Sequence, residues 1–388
     1  MKKILLTGLG LILLALGIVF FWIARVLADL PDVATLKNYR PAAASEVTDK
    51  DGNILTQYYE RKFRIWVPLS SLPDVVIQAV VTAEDDTFFG HQGVNYKATW
   101  DALVHDAQKG RFARGGSTIT QQMIKNVLLS KEKTLSRKIR EYVLARKAEE
   151  ILTKRRILEI YLNEVEWGDN IYGIEAASRY YFDKHAAELS TREAALLAGM
   201  LPNPRYFNPN KRPDKARKRQ ERVLSNMLQA KLISPEEFTI AMQSPLQLRA
   251  ERGGKFDFTA LDGGRTKPCY QAVLERILVN IAGEKGLHRQ GLKIMTTLDR
   301  SLQNDLSKFD EALPDRVQNA PDRIVMITRG GKVRALVCAT AVEASVRSRL
   351  GINDSMDAIA SEEYTVSIVS AEAIAREQII MSMAGGLH

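Results

Sequence analysis

The sequence predicts a mostly α-helical protein with one N-terminal membrane-spanning helix and a small α+β C-terminal region. Three observations carry this. Ile4 to Ala24 contains no charged residue. From Thr118 to about Leu232, apolar residues recur at helical spacing, with breaks at Gly168, Gly173, Pro202, Pro204 and Pro209. Near residue 250 the composition changes: Gly253, Gly254, Gly263 and Gly264 bracket a loop-rich stretch, beyond which strand-like runs begin.

The elements follow in chain order. At about 1.5 Å per residue, Ile4 to Ala24 spans the roughly 30 Å hydrocarbon core of a bilayer as a helix. Lys2 and Lys3 precede it, and Arg25, Asp29 and Asp32 follow, so the positive-inside rule places the N-terminus in the cytoplasm. The competing reading, a cleaved signal peptide, needs a shorter apolar core and a small-x-small cleavage site, and no clear site follows. Residues 28–44, with Pro31 and Pro41, read as a polar stalk. Val47 to Leu55 reads as strand, Asp51-Gly52 turn, strand. Pro73 starts a helix that runs into Glu84, with Val76, Ile77, Val80 and Val81 at helical spacing. Helices are then expected over 135–152, 155–162, 171–181, 191–200 and 215–230. Past residue 250, a helix over 270–282, a strand over 291–298 and a hairpin around Gly330-Gly331 complete the pattern. The expected divisions are an anchor (1–27), the stalk (28–44), a helical domain (45–245) and a C-terminal region (246–388).

Bulk properties narrow the function. The chain has 388 residues, a net charge of +9 and 45% hydrophobic residues. Such a charge favours anionic partners, a membrane surface or a phosphate-bearing substrate. Nucleic acid is not expected, because no zinc-ligand spacing, RNA-binding motif or DNA-reading helix is present. Cys269 and Cys338 form no CxxC pair, and their spacing alone does not decide whether they join.

Two segments carry the chemistry. The first is Glu84-Asp85-Asp86-Thr87-Phe88-Phe89-Gly90-His91-Gln92-Gly93. Glu84 ends an apolar helix beside aromatics, and partial desolvation there would raise its pKa and suit it to general-base work. His91 is expected to orient the loop rather than transfer protons. The second is Gly115-Gly116-Ser117-Thr118-Ile119-Thr120-Gln121-Gln122-Met123-Ile124-Lys125-Asn126. Behind the basic lead-in of Arg111 and Arg114, a helix N-terminus suits phosphate. Thr118 with Gln121 also fits a capping box, a structural role. Gln121, Gln122 and Lys125 share one helix face, where the amides could bond a sugar and the ammonium a phosphate.

A third cluster opens the next helix: Lys131, Lys133, Arg137, Lys138 and Arg140. A solvated charge run is the plain reading. Against it, Arg137, Glu141 and Ala145 align one turn apart, and small Ala145 leaves space beside Glu141. A carboxylate among cations stays ionised, so Glu141 is suited to ordering them, or a divalent metal, around a departing pyrophosphate.

These strings resemble the first three motifs of the peptidoglycan glycosyltransferases, the lysozyme-like transferase domain of bifunctional penicillin-binding proteins and monofunctional transglycosylases. Glu84-Asp85-x-x-Phe88-x-x-His91-x-Gly93 matches the first throughout, and Arg137-Lys138-x-x-Glu141 the third. Lys154 to Asn163 resembles the fourth motif, with Glu159 and Asn163 expected to be structural. Ala177 to Lys184 and Glu193 to Gly199 resemble the fifth. The resemblance spans about residues 45–235. One departure is Lys133, where the family usually carries Arg; Lys keeps the charge and loses the forked donor geometry.

The resemblance implies a lysozyme-like fold and an enzyme that polymerises lipid II, a disaccharide-pentapeptide on undecaprenyl pyrophosphate. Glu84 and Glu141 would be the catalytic pair. Asp85, Phe88, His91, Ser117, Thr118, Gln121, Gln122, Lys125, Asn126, Lys133, Arg137 and Lys138 would hold the substrate. Mg²⁺ or Mn²⁺ at the pyrophosphate site is a candidate cofactor. Expected partners are lipid II, the growing glycan strand, membrane lipids and other cell wall synthesis proteins, at a bacterial inner membrane with the domain in the periplasm. Ser130-x-x-Lys133 is the only Ser-x-x-Lys, and no Lys-Thr-Gly occurs, so no penicillin acylation is expected of this sequence. Two other readings remain open: a lysozyme-like glycan hydrolase working with paired carboxylates, and a non-catalytic lipid II-binding scaffold.

Overall fold

The computed structural model describes residues 2–59, 62–109, 116–130, 132, 134–251, 267–306, 312–313, 324–329, 332–337, 365–369 and 380–384. By its contacts the chain divides into two units, residues 1–40 with 67–254 and residues 41–66 with 255–388.

The first unit is helical. Helix α1 (Lys2–Ala28) contains a run, Gly10–Ala28, of mean hydropathy 2.6, long and apolar enough to cross a membrane. Its large side chains from Leu11 to Phe21 are exposed, as a helix meant for lipid requires. The core is built from α2 (Asp74–Glu84), α3 (Tyr96–Lys109), α4 (Ile119–Leu128), α5 (Leu135–Ile151), α6 (Lys154–Glu164), α7 (Ile174–Phe182), α8 (Thr191–Met200), α9 (Pro213–Gln229) and α10 (Pro235–Gln243). Side-chain oxygens cap α4 (Thr118), α5 (Thr134), α6 (Thr153), α8 (Ser190) and α10 (Ser234), satisfying N–H groups each helix leaves open.

Helix α8 is buried on every side from Ala194 to Met200 and forms the centre against which α2 and α9 pack. A Cβ at Gly199 would lie 3.1 Å from the Arg219 backbone, so glycine permits the close α8–α9 approach. Burial of Val76, Ala79 and Val80 on α2 against this centre fixes the helix that ends in Glu84. Each such large apolar side chain contributes roughly 1.5–3 kcal/mol. Helix α4 sits between α5 and α6 on Ile119, Met123 and Ile124, all fully buried. Asn163 holds the start of this part of the chain, donating to the Val67 carbonyl at 2.9 Å and accepting from its N–H at 3.0 Å. Glu159 accepts from the Leu69 N–H. Both are structural, as expected.

Three expectations change. Part of the stalk is packed structure: Leu36, in a short 3-10 turn over Val33–Leu36 that packs on α5, has no exposure, and Tyr39 donates to Glu164 at 2.7 Å. Apolar and aromatic anchors among its polar residues account for this. Ile171–Tyr172 is a strand paired with Glu166–Gly168, so α7 begins only after Gly173, whose φ of +83° suits glycine. And the segment 41–66, expected inside the 45–245 domain, groups with the second unit.

That second unit has a four-stranded sheet in the order Ile380–Ala384, Lys293–Thr296, Ser45–Thr48, Ile54–Tyr58. Ser45–Thr48 and Ile54–Tyr58 form the expected hairpin, with Gly52 at φ +87° and Asp49 accepting from the Asp51 and Asn53 N–H groups. Ser45–Thr48 also runs parallel to Lys293–Thr296, which ties the early hairpin to the late chain. Helix α11 (Cys269–Ala282) buries Val273, Leu274, Ile277 and Leu278 in one core with Val47, Leu292, Ile294 and Leu298. Ile324–Arg329 and Lys332–Val337 form the second expected hairpin. Cys338 lies outside the described residues, and with it the question of a Cys269–Cys338 pair.

Candidate active site

Glu84 occupies the last turn of α2 and lines a groove of about 380 Å³ that also takes in Asp86, Asn95, Asp101, Gly116 and Ser117. Its carboxylate accepts a 2.8 Å hydrogen bond from Gln122 Nε2 on α4. Burial pushes the Glu84 carboxyl above the usual carboxylate range. The Gln122 bond and the charges of Arg219 and Lys125 act in the opposite direction, and Asp85 reinforces the rise. A carboxylate raised in this way, on a groove, has the character of a general base.

Asp85 has a different environment. It is buried, and its Oδ2 accepts from the Ile119 N–H at 3.0 Å, at the first turn of α4, while His91 Nε2 lies 2.9 Å away. Asp85 therefore locks the loop to α4, and His91 orients that loop as expected. Phe88 is fully buried with the Lys154 ammonium 4.4 Å from its ring centre, so it packs rather than contacting substrate. Lys154 also donates to the His91 carbonyl and to Glu149, which Thr120 bonds in turn. This net joins the loop to α4, α5 and α6.

The capping box at α4 is formed, and it consumes two of the expected substrate residues. Thr118 is buried, accepts from the Gln121 N–H and donates to the Gly93 carbonyl at 2.6 Å. Gln121 is fully buried with its Oε1 on the Thr118 N–H. Both are structural here, because a helix start bedded in the core needs its own donors satisfied. Gly93, at φ +82°, lies so close to α5 that an added Cβ would sit 2.5 Å from the Ala145 carbonyl oxygen.

Glu141 is 2% exposed on α5. Lys138 Nζ donates to its Oε2 at 2.7 Å and to Ser117 Oγ at 2.8 Å, and Arg137 Nε lies 3.3 Å from Oε1. Ser117 thus links the cationic cluster to the groove that holds Glu84. Lys125, half-buried on α4, has no carboxylate among the described residues within ion-pair distance. Burial lowers its pKa, as do Arg137 and Lys138, against the pull of Glu141 and Glu84. Its charge is felt by two carboxylates and matched by neither. Asn126, half-buried, follows it. Lys131, Lys133 and the Arg111–Arg114 lead-in lie outside the described residues.

The metal expectation finds no ligand set: among the described residues no group of three or more His, Cys, Asp or Glu is placed to hold an ion. Glu141 has a cation on each oxygen. Sequence reasoning missed Arg219 on α9, whose charge bears on Glu84, and Tyr161 on α6, fully buried and 3.3 Å from Gln122 Oε1. Arg219 comes from a segment far along the chain, and Tyr161 reads as an ordinary core position.

A carboxylate on a groove, linked through Ser117 to a cation cluster on packed helices, is an arrangement suited to transfer of a group with an anionic leaving group. The model of the transglycosylase family matches residues 51–228. Among its relatives are penicillin-binding proteins 1A. That of Aquifex aeolicus is 38% identical over 309 residues, 79% of this chain and 41% of its own length. That of Vibrio cholerae is 32% identical over 80% of this chain and 38% of its own length, and that of Escherichia coli 34% over 78% and 34%. The chain thus spans about two fifths or less of these relatives. A crystal structure of penicillin-binding protein 1A from Haemophilus influenzae aligns with 70% of this chain and 29% of its own, at 24% identity and a TM-score of 0.36.

Proposed function

We propose that this protein polymerises lipid II into glycan strands by β-1,4 glycosyl transfer, releasing undecaprenyl diphosphate. The observation that carries the reading is Lys125: a half-buried cation, without an ion-pair partner among the described residues, that feels both Glu84 and Glu141. Such a group wants an anion, and a diphosphate between the two carboxylates supplies one. Glu84 takes the proton from the acceptor sugar's 4-hydroxyl as that oxygen attacks the anomeric carbon of the donor. The glycosidic bond to the diphosphate breaks with inversion. Lys125 and the Lys138–Arg137 pair stabilise the charge that develops on the leaving group. Glu141 keeps those two cations in place and does not itself transfer a proton.

Lipid-linked donor and leaving group suit a protein held by α1 in a bilayer, its N-terminus cytoplasmic and its helical domain on the outer face. The growing strand and other cell wall synthesis proteins are the partners this reading entails. Its test is purified protein with labelled lipid II in detergent, resolved by strand length. Wild type should give glycan strands and Glu84→Gln none. Equal output from the two would remove Glu84 from the chemistry, and release of soluble fragments from sacculi without polymer would make the protein a hydrolase.

A further inference from the structure

Glu84 receives its hydrogen bond from Gln122, and the far side of that amide is engaged too. Tyr161 Oη lies 3.3 Å from Gln122 Oε1, while Gln122 Nε2 lies 2.8 Å from Glu84 Oε2. The three residues come from α6, α4 and α2, helices fixed by separate packing. We propose that Tyr161 is a positioning residue for Glu84, acting through the Gln122 amide to hold the carboxylate in its ionised, proton-accepting state. The proposal deepens the reading of Glu84 as general base and rests on it for its catalytic meaning.

Donors and acceptors can be assigned along the whole path. An ionised carboxylate can only accept, so it must meet the NH₂ end of Gln122. The carbonyl end then faces Tyr161, whose hydroxyl must donate. Tyr161 is fully buried, and burial together with the nearby charges of Glu84 and Asp85 holds its pKa well above the ordinary tyrosine value, so the proton stays on the phenol. A hydroxyl donating to an amide oxygen polarises the amide and strengthens the N–H it offers on the other side. It also fixes which way the amide points. Without that hydroxyl the amide is free to turn, and its preference for an ionised Glu84 falls. The relay leaves Oε1 of Glu84 free of any described partner and so available for the acceptor's proton.

Other groups act on the same carboxylate: Lys125 and Gln122 from α4, Arg219 from α9, and Asp85 beside it. Helix α8 packs on α2 and brings no titratable side chain between Ala194 and Met200. Tyr161→Phe leaves every charged group around Glu84 in place and keeps the buried ring, removing only the hydroxyl that meets Gln122.

The experiment is a carbon-13 NMR titration of the full chain in micelles, with side-chain carboxyls of glutamate labelled and Glu84→Gln identifying the resonance. In Tyr161→Phe, Glu84 should titrate about half a pH unit higher than in wild type. The acid limb of kcat/KM for lipid II should move up with it while KM stays put. Gln122→Met should shift Glu84 at least as far, and the double variant no further than Gln122→Met alone, because both changes break one path. A Tyr161→Phe titration that superimposes on wild type overturns the proposal, as do additive shifts in the double variant. The titration needs no substrate, so a relay that fails and a protein that does not polymerise lipid II give different results.

Discussion

Glu84 and Asp85 are adjacent in the chain and differently employed: Glu84 faces a groove with a single side-chain hydrogen bond, whereas Asp85 is spent on His91 and the Ile119 N–H. The division follows from where α2 ends. Both residues border the groove, but Asp85, just past the last helical residue, turns its oxygens to the α4 N-terminus and His91. Paired acids with separate environments can hold separate roles, here base and brace.

Glu84→Gln should lower lipid II polymerisation by about 10²–10⁴-fold, the usual worth of a positioned proton acceptor. It should also raise thermal stability at neutral pH. The Glu84 pKa is raised in the folded state, so the ionised group costs stability that sets in as pH climbs from the ordinary carboxylate range through the folded value. The gain should therefore shrink as pH falls through the raised folded value and be gone below about pH 4.5, the ordinary value. Calorimetry of both proteins across pH checks the sign.

The acid limb of kcat/KM for the wild-type protein should fall above that ordinary carboxylate value, since a base with a raised pKa is lost to protonation sooner as pH drops. A limb at or below it would mean that another group sets the profile.

Lys125→Met and Glu141→Gln should separate function from fold. Lys125 has a pKa lowered mainly by burial, so its charge is a stability cost at neutral pH, and Met should fold as well or better while polymerisation falls at least 10²-fold. Glu141→Gln leaves Arg137 and Lys138 around a neutral amide in a buried site, which should cost about 3–5 kcal/mol in denaturant unfolding.

Gly93→Ala should fold poorly. The new methyl would lie 2.5 Å from the Ala145 carbonyl on a residue at φ +82°, and both faults push the loop away from α5. Loss of soluble, protease-resistant protein is the readout; a variant as stable as wild type would show that the loop–α5 contact is not tight.

Much of this is legible in the chain. Caps and apolar spacing mark α2, α5, α6, α8 and α9 to within a few residues, because their signals are local. Thr118 and Gln121 show where local reading stops. Their spacing fits both a capping box and a sugar-binding face, and only their depth in the core decides for the former. The same holds for Phe88 and Asp85. Helix α3 carries Tyr96, Trp100 and Val104 at i, i+4 and i+8, the spacing of a buried stripe, yet the structure leaves all three exposed. Arg219 and Tyr161 reach Glu84 only through the packing of α9 and α6, which no spacing records.

Arg140 donates from Nε to the Val26 carbonyl at 2.9 Å, in the last turn of α1, and it stands on α5 between Arg137 and Glu141. The helix that carries the cation cluster is thus joined directly to α1 rather than tethered by a leash. With α1 in a bilayer, as proposed above, that joint would set a working depth and keep Arg137, Lys138 and Glu141 close to the lipid headgroups. On the proposed reading, a donor whose lipid tail were clipped away would lose its address as well as its grip, even with every atom of the reacting bond intact.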